Sequence, residues 1–156
     1  RLVQEVGADI RVDMGPVRLV GERAVQVGAT TYRGTLFDVG NPHFILWGRW
    51  PTDTVLTDGP LIERASIFPA GVNVAFAAPP TQSRIKATIW ERGSGLTGAC
   101  GSGACAIAAA AWTRGHRGPL WIEQPGGTLH IEEVAGHVHM TGPAAQVFVG
   151  ELSAPS

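Results

Sequence analysis

Apolar and polar side chains alternate in short runs over the first forty residues: Ile10 and Val12, then Val17 to Val20, Ala24 to Val27 and Thr31 to Val39. The breaks fall at Gly15-Pro16, Gly21, Gly28 and Gly34. A period of two bounded by turn residues predicts an antiparallel meander of half-buried strands. The same pattern returns at Phe44 to Trp47, Gly71 to Phe76 and Arg84 to Trp90. It closes the chain at Leu120 to Glu123, Thr128 to Glu133, His137 to Thr141 and Gln146 to Gly150, with hairpin turns at Pro125-Gly126-Gly127 and Ala135-Gly136. Two stretches break the period. Thr57-Asp58-Gly59-Pro60 followed by Leu61, Ile62, Ala65 and Ile67 predicts a short helix with Pro60 near its first turn, ended by Phe68-Pro69. Ala104 to Trp112 is almost wholly apolar, with Gly115 as a stop, and predicts a helix buried on nearly every side, too short to cross a bilayer. Many short strands and one apolar helix make an α+β fold with a mostly antiparallel sheet.

Composition narrows the partners. A chain of 156 residues, 44% of them hydrophobic, suffices for one domain with its own core. A net charge of −1, with arginines scattered singly, points away from nucleic acid and membrane surfaces and toward a small-molecule ligand. Two cysteines do not make a disulfide framework, so a cytoplasmic location is the default expectation. Cys100 and Cys105 are five helical residues apart, about 7.5 Å of rise and roughly 500° of rotation, which puts them on different faces. They can neither bridge nor flank one substrate atom, and Cys105 reads as core. His137 and His139 share a strand face, but without a third ligand they read as a solvated face, and no metal is expected.

The candidate chemistry lies between Trp90 and Arg114. Gly98, Gly101 and Gly103 surround Cys100 where the apolar helix begins, and the first turn of a helix carries N–H groups with no partner inside it. Such a turn binds anions and favours thiolate, so a lowered thiol pKa is expected at Cys100. A small buried hydrophobe is the equal alternative on position alone. The glycine-rich run is not a phosphate-binding loop, because Ala104 and Cys105 stand where that motif needs Lys and Ser or Thr. Gly40-Asn41-Pro42-His43 and Asn73, taken singly, read as a connector and a turn cap.

Taken together, these segments resemble the diaminopimelate epimerase family. Glu91-Arg92-Gly93, Gly95, Thr97 and Ala99-Cys100-Gly101-Ser102-Gly103 are similar to its second active-site motif. Gly40-Asn41-Pro42-His43, Asn73-Val74-Ala75-Phe76, Val138 to Ala144 and Val147-Phe148-x-Gly150 match further elements of it. The resemblance implies a strongly curved sheet wrapped around the central helix, one lobe of a pseudo-two-fold fold. It also implies a cofactor-independent isomerase that interconverts LL- and meso-diaminopimelate, for lysine and peptidoglycan precursors, with two cysteines and no pyridoxal phosphate.

By that resemblance Cys100 is the acid or base for one face of the α-carbon, and the N–H groups around Gly101 and Ser102 hold the α-carboxylate with the Arg92 fork. Glu91 holds the ammonium and tunes the thiol, Asn41 and Asn73 bind the distal end, and His43 exchanges protons with a thiol near neutral pH. The likeness runs from about Ile10 to Glu151 but covers only the family's second half. Residues 1–156 are therefore expected to be a C-terminal lobe, inactive without the N-terminal lobe that carries the other cysteine. That missing lobe is the expected partner, with a homodimer as a further one. The alternatives are a non-catalytic anion-binding or assembly module, a proline racemase-like lobe and, more weakly, a cysteine hydrolase.

Overall fold

The alternating segments become strands of one large curved sheet that does not close on itself. A computed structural model describes residues 2–151; Arg1, where the sequence already reads as a strand, and residues 152–156 lie outside that description. In chain order the elements are β1 (Val3–Val6), β2 (Asp9–Asp13), β3 (Arg18–Val27), β4 (Thr30–Asp38), β5 (Pro42–Trp47), α1 (Thr52–Glu63), β6 (Asn73–Ala77), β7 (Arg84–Glu91), β8 (Gly95–Leu96), α2 (Gly101–Thr113), β9 (Leu120–Gln124), β10 (Gly127–Val134) and β11 (His137–Pro143). The strands lie in the order β1-β2-β11-β10-β9-β7-β6-β5-β4-β3, with β8 paired to β7 off that path. Neighbours are antiparallel except β5 with β6 and β7 with β9. Parallel neighbours need a crossover, and each helix supplies one: α1 joins β5 to β6, and α2 lies between β7 and β9.

Side chains alternate across the sheet, so each strand feeds two cores. Phe37, Ile45, Ala75, Ile89, Ile122, Ile131 and Val138 pack with α2, whereas Val25, Tyr32, Phe44, Leu46, Val74 and Phe76 pack with α1 residues Val55 and Ile62. β5 is covered on both faces, which is why Phe44, Ile45 and Leu46 are apolar in succession. In α2 every residue from Gly103 to Ala111 is buried, and its run of alanines keeps the helix thin enough for the sheet to curve around it. The helix ends where Gly115 N–H donates to Trp112 O and His116 N–H to Ala111 O, a Schellman stop that requires the positive φ of Gly115 (+96°).

Several expectations are corrected. α1 starts at Thr52 after Pro51, and Pro60 lies in its last turn rather than its first. The register is set by Val55, Gly59 and Ile62 facing the sheet, with Gly59 so close to Trp90 that a Cβ would lie 3.0 Å from Cγ. Gly21 and Gly34 do not break strands: Gly21 sits at a bulge in β3, and Gly34 lies inside β4, where a Cβ would fall 2.4 Å from Ile45 O. Gln146 to Gly150 is not a strand, and Val147, Phe148 and Val149 are exposed, because β11 is already paired on both sides by β10 and β2. Among the described residues no helix is long and apolar enough to cross a membrane.

Ile107, fully buried at the middle of α2, tests the helix as the core's centre. Ile107→Ala is expected to lower the free energy of urea unfolding by about 2–5 kcal/mol; a loss below about 1 kcal/mol would show that the sheet does not depend on packing against α2.

Candidate active site

Three adjacent strands bring polar residues to one end of α2. Alternation that aims Ile45, Ala75 and Ile89 at α2 also aims His43 of β5, Asn73 of β6 and Glu91 of β7 toward that face, where the helix begins. Cys100 is the N-cap, with extended backbone (φ −135°, ψ 109°), and its carbonyl accepts the first helical bond from Ala104 N–H at 3.0 Å. Its own N–H donates to Gln124 Oε1 at 2.7 Å, and Gln124 Nε2 donates to its carbonyl at 3.3 Å. The turn beyond is sterically tight: a Cβ on Gly103 would lie 2.4 Å from Ile89 Cδ1 and 3.3 Å from Cys100 Sγ.

The thiol does not behave as its position in sequence predicts. Burial pushes the Cys100 pKa up; hydrogen bonds from Ser102 and the Gly103 N–H pull it down, and Glu91 raises it further. Desolvation of the thiolate therefore outweighs the donors of the first turn, and the expected lowering is corrected to a rise.

Ser102 Oγ joins several groups, lying 3.6 Å from Cys100 Sγ and 3.1 Å from His43 Nε2, with Asn41 Nδ2 donating to it at 3.5 Å. His43 Nε2 is also 3.1 Å from Asn41 Oδ1. A ring nitrogen between two oxygens is satisfied as the N–H tautomer, which leaves Nδ1 bare, and Nδ1 is buried without a partner. His43 is fully buried, and burial lowers its pKa to about 4; Asp38 opposes the shift and the Arg92 charge reinforces it. The expectation that His43 exchanges protons near neutral pH is therefore corrected: it stays a neutral ring that orders Asn41 and Ser102.

The remaining site residues have structural partners of their own. Asn73 Nδ2 donates to Pro42 O at 2.9 Å, and its Oδ1 accepts the Arg92 N–H at 3.0 Å, so both ends of its amide hold main chain. Glu91 Oε1 accepts the Thr97 hydroxyl. The exposed Arg92 guanidinium donates to Ala70 O at 3.0 Å, its stem lying over Gly71, where a Cβ would be 2.9 Å from Cδ. Gly101 packs in the first turn against Met140. Cys105 is fully buried in the core, and His137 bonds Asp13 on the far strands. Among the described residues no group of three or more His, Cys, Asp or Glu is arranged to hold a metal.

Two contributors had no local signal in sequence. Gln124 lies 24 residues from the cysteine it holds. Glu63, buried at the end of α1, accepts Trp90 Nε1–H at 2.7 Å and Gly93 N–H at 3.0 Å, steadying the turn that carries Glu91 and Arg92. Only the sheet order makes either of them a neighbour of the site.

The model of the diaminopimelate epimerase family matches residues 35–147, a span that contains every candidate site residue together with Glu63 and Gln124. The chain belongs to this family. It is 39% identical to the diaminopimelate epimerase of Parabacteroides distasonis, over 96% of this chain and 58% of that protein. It is 41% identical to that of Pseudomonas syringae pv. tomato, over 92% of this chain and 58% of the other. The chain thus spans well under two thirds of the length of these relatives. In fold it is similar to a hydroxyproline epimerase from Agrobacterium vitis, with TM-score 0.66 and 16% identity, covering 90% of this chain and 53% of that one.

The His43 environment predicts a pH dependence for this diaminopimelate epimerase-family chain. With a folded pKa near 4 against 6.5 in the unfolded chain, the unfolded state binds the proton first, so stability is complete above pH 6.5 and falls as pH drops toward 4. The expected loss is about 3 kcal/mol across that window, measured by urea unfolding, and His43→Gln should remove most of it. An unchanged slope in the variant would show that His43 is not the group responsible.

Proposed function

We propose that this chain supplies half of the active site of a diaminopimelate epimerase that works without pyridoxal phosphate, with Cys100 serving one face of the α-carbon. The observation that carries this reading is the N-cap position of Cys100: a thiol beside Glu91, at the start of a buried helix whose first-turn N–H groups lack helical partners. A carbanion with no cofactor to spread its charge needs fixed dipoles at the carboxylate, and a helix N-terminus in a site closed to water supplies them. In this reading residues 1–156 are the C-terminal lobe of a longer enzyme in the cytoplasm, where thiols stay reduced.

The upward shift of the Cys100 pKa supports a resting role as the acid. A protonated thiol can donate but not abstract, so in one direction a thiolate on the companion lobe takes the α-proton while Cys100 S–H returns one from the opposite face, the electron pair passing from the C–H bond to the carbanion and back. In the reverse direction the two sulfurs exchange roles. The N–H groups of Gly101 and Ser102 hold the α-carboxylate, and Arg92, released from Ala70, closes on it with a planar fork. Glu91 receives the ammonium, which removes the negative charge that raises the thiol's pKa. Asn41 contacts the distal end. Asn73 contributes there through the remaining hydrogen of its amide while holding Arg92.

The test is exchange of the α-proton of diaminopimelate with deuterated water, followed by NMR, using this chain with and without the N-terminal half of a relative. Exchange is expected only when both halves are present, and Cys100→Ala should reduce interconversion of the LL and meso forms by at least about 100-fold. Epimerisation by the 156-residue chain alone would overturn the half-site reading.

A further inference from the structure

An extended residue directs its N–H and C=O to the same side, toward the place a neighbouring strand would take. Cys100 has that conformation, yet it belongs to no strand. The side chain of Gln124, only 8% exposed at the end of β9, occupies the strand's place: Oε1 accepts the Cys100 N–H at 2.7 Å, and Nε2 donates to the Cys100 carbonyl at 3.3 Å. That carbonyl is also where α2 begins, because it accepts Ala104 N–H at 3.0 Å. Two residues beyond Gln124, Gly126 N–H donates to Gly98 O at 2.6 Å, and a Cβ on Gly126 would lie 2.9 Å from that oxygen. The turn between β9 and β10 therefore grips both ends of the segment from Gly98 to Cys100.

We propose that Gln124 is a positioning residue for Cys100, its amide standing in for a strand neighbour and fixing the main chain from which the thiol and α2 both start. The chemistry is selective. A primary amide offers one donor side and one acceptor; a carboxylate lacks the donor, and a thioether of the same length has no donor and only a weak acceptor. Both of these hydrogen bonds go to the Cys100 main chain, so Gln124 acts on the reaction through Cys100. Its bearing on catalysis rests on the epimerase reading, whereas its grip on the cysteine does not.

The test reads the thiol directly. Alkylation of Cys100 by iodoacetamide is followed against pH in the unsubstituted chain, Gln124→Glu and Gln124→Met, with peptide mass mapping to separate Cys105. Amide hydrogen exchange at Cys100 is measured alongside. Gln124→Glu keeps an acceptor for the N–H but adds a negative charge to that of Glu91, and should move the alkylation midpoint up by roughly one unit. Gln124→Met should speed exchange at the Cys100 amide at least about 10-fold, and its alkylation midpoint should move down as the thiol loosens toward water. Lower melting temperatures with both midpoints unchanged would mean a packing role only and overturn the proposal. If Gln124→Met does not fold, the Gln124→Glu midpoint decides. A Cys100 amide in the unsubstituted chain that exchanges as fast as an unstructured one overturns the proposal without any variant.

Discussion

Everything at the candidate site depends on one change of backbone direction, from extended chain to buried helix, at Cys100. A helix start leaves main-chain donors unpartnered, and leaving them buried is costly unless something accepts them. Here the change is made at the edge of a core that already contains Ile89, Ala104 and Ile131, so water is largely excluded from the cysteine. Fixed protein groups must do what solvent would otherwise do. Gln124 takes the N–H of Cys100, Gly103 and Ser102 attend its sulfur, and His43 and Asn41 hold Ser102 in place.

The same burial decides the electrostatics. A helix N-terminus favours thiolate by a modest amount at an exposed site, while removing the ion from water opposes it more strongly. At Cys100 the second effect wins, and Glu91 adds to it. At His43 desolvation works on a base, and the ring stays neutral. Burial thus favours the uncharged form of both groups in this chain. An ammonium group brought to Glu91 would change that balance, which ties the protonation state of the thiol to the arrival of substrate in the proposed mechanism.

The strands and the buried helix were legible in sequence because they depend on local periodicity: β7 and β9 end within one residue of where the alternation places them, and α2 begins three residues before the alanine run and ends one after it. The errors came where tertiary contacts override local signals. Gly34 reads as a break but is a close approach to Ile45, Pro60 reads as a helix start but falls in a last turn, and the alternating residues 146–150 follow β11, which β10 and β2 already pair on both sides. At the site, the residue types around Cys100 could be read from their order. The partners that set their behaviour could not, since Gln124 and Glu63 reach the cysteine loop and the Glu91 turn only through the crossovers that α1 and α2 make.

The most direct test of the central claim, that the first turn of α2 is a carboxylate site built beside a thiol, is an amide chemical-shift titration of the chain with diaminopimelate. The account predicts saturable shifts at the N–H groups of Gly101, Ser102 and Gly103 and at the side chain of Arg92, with residues at the far end of α2 unmoved. Shifts elsewhere, or none at these amides at saturating ligand, would contradict it.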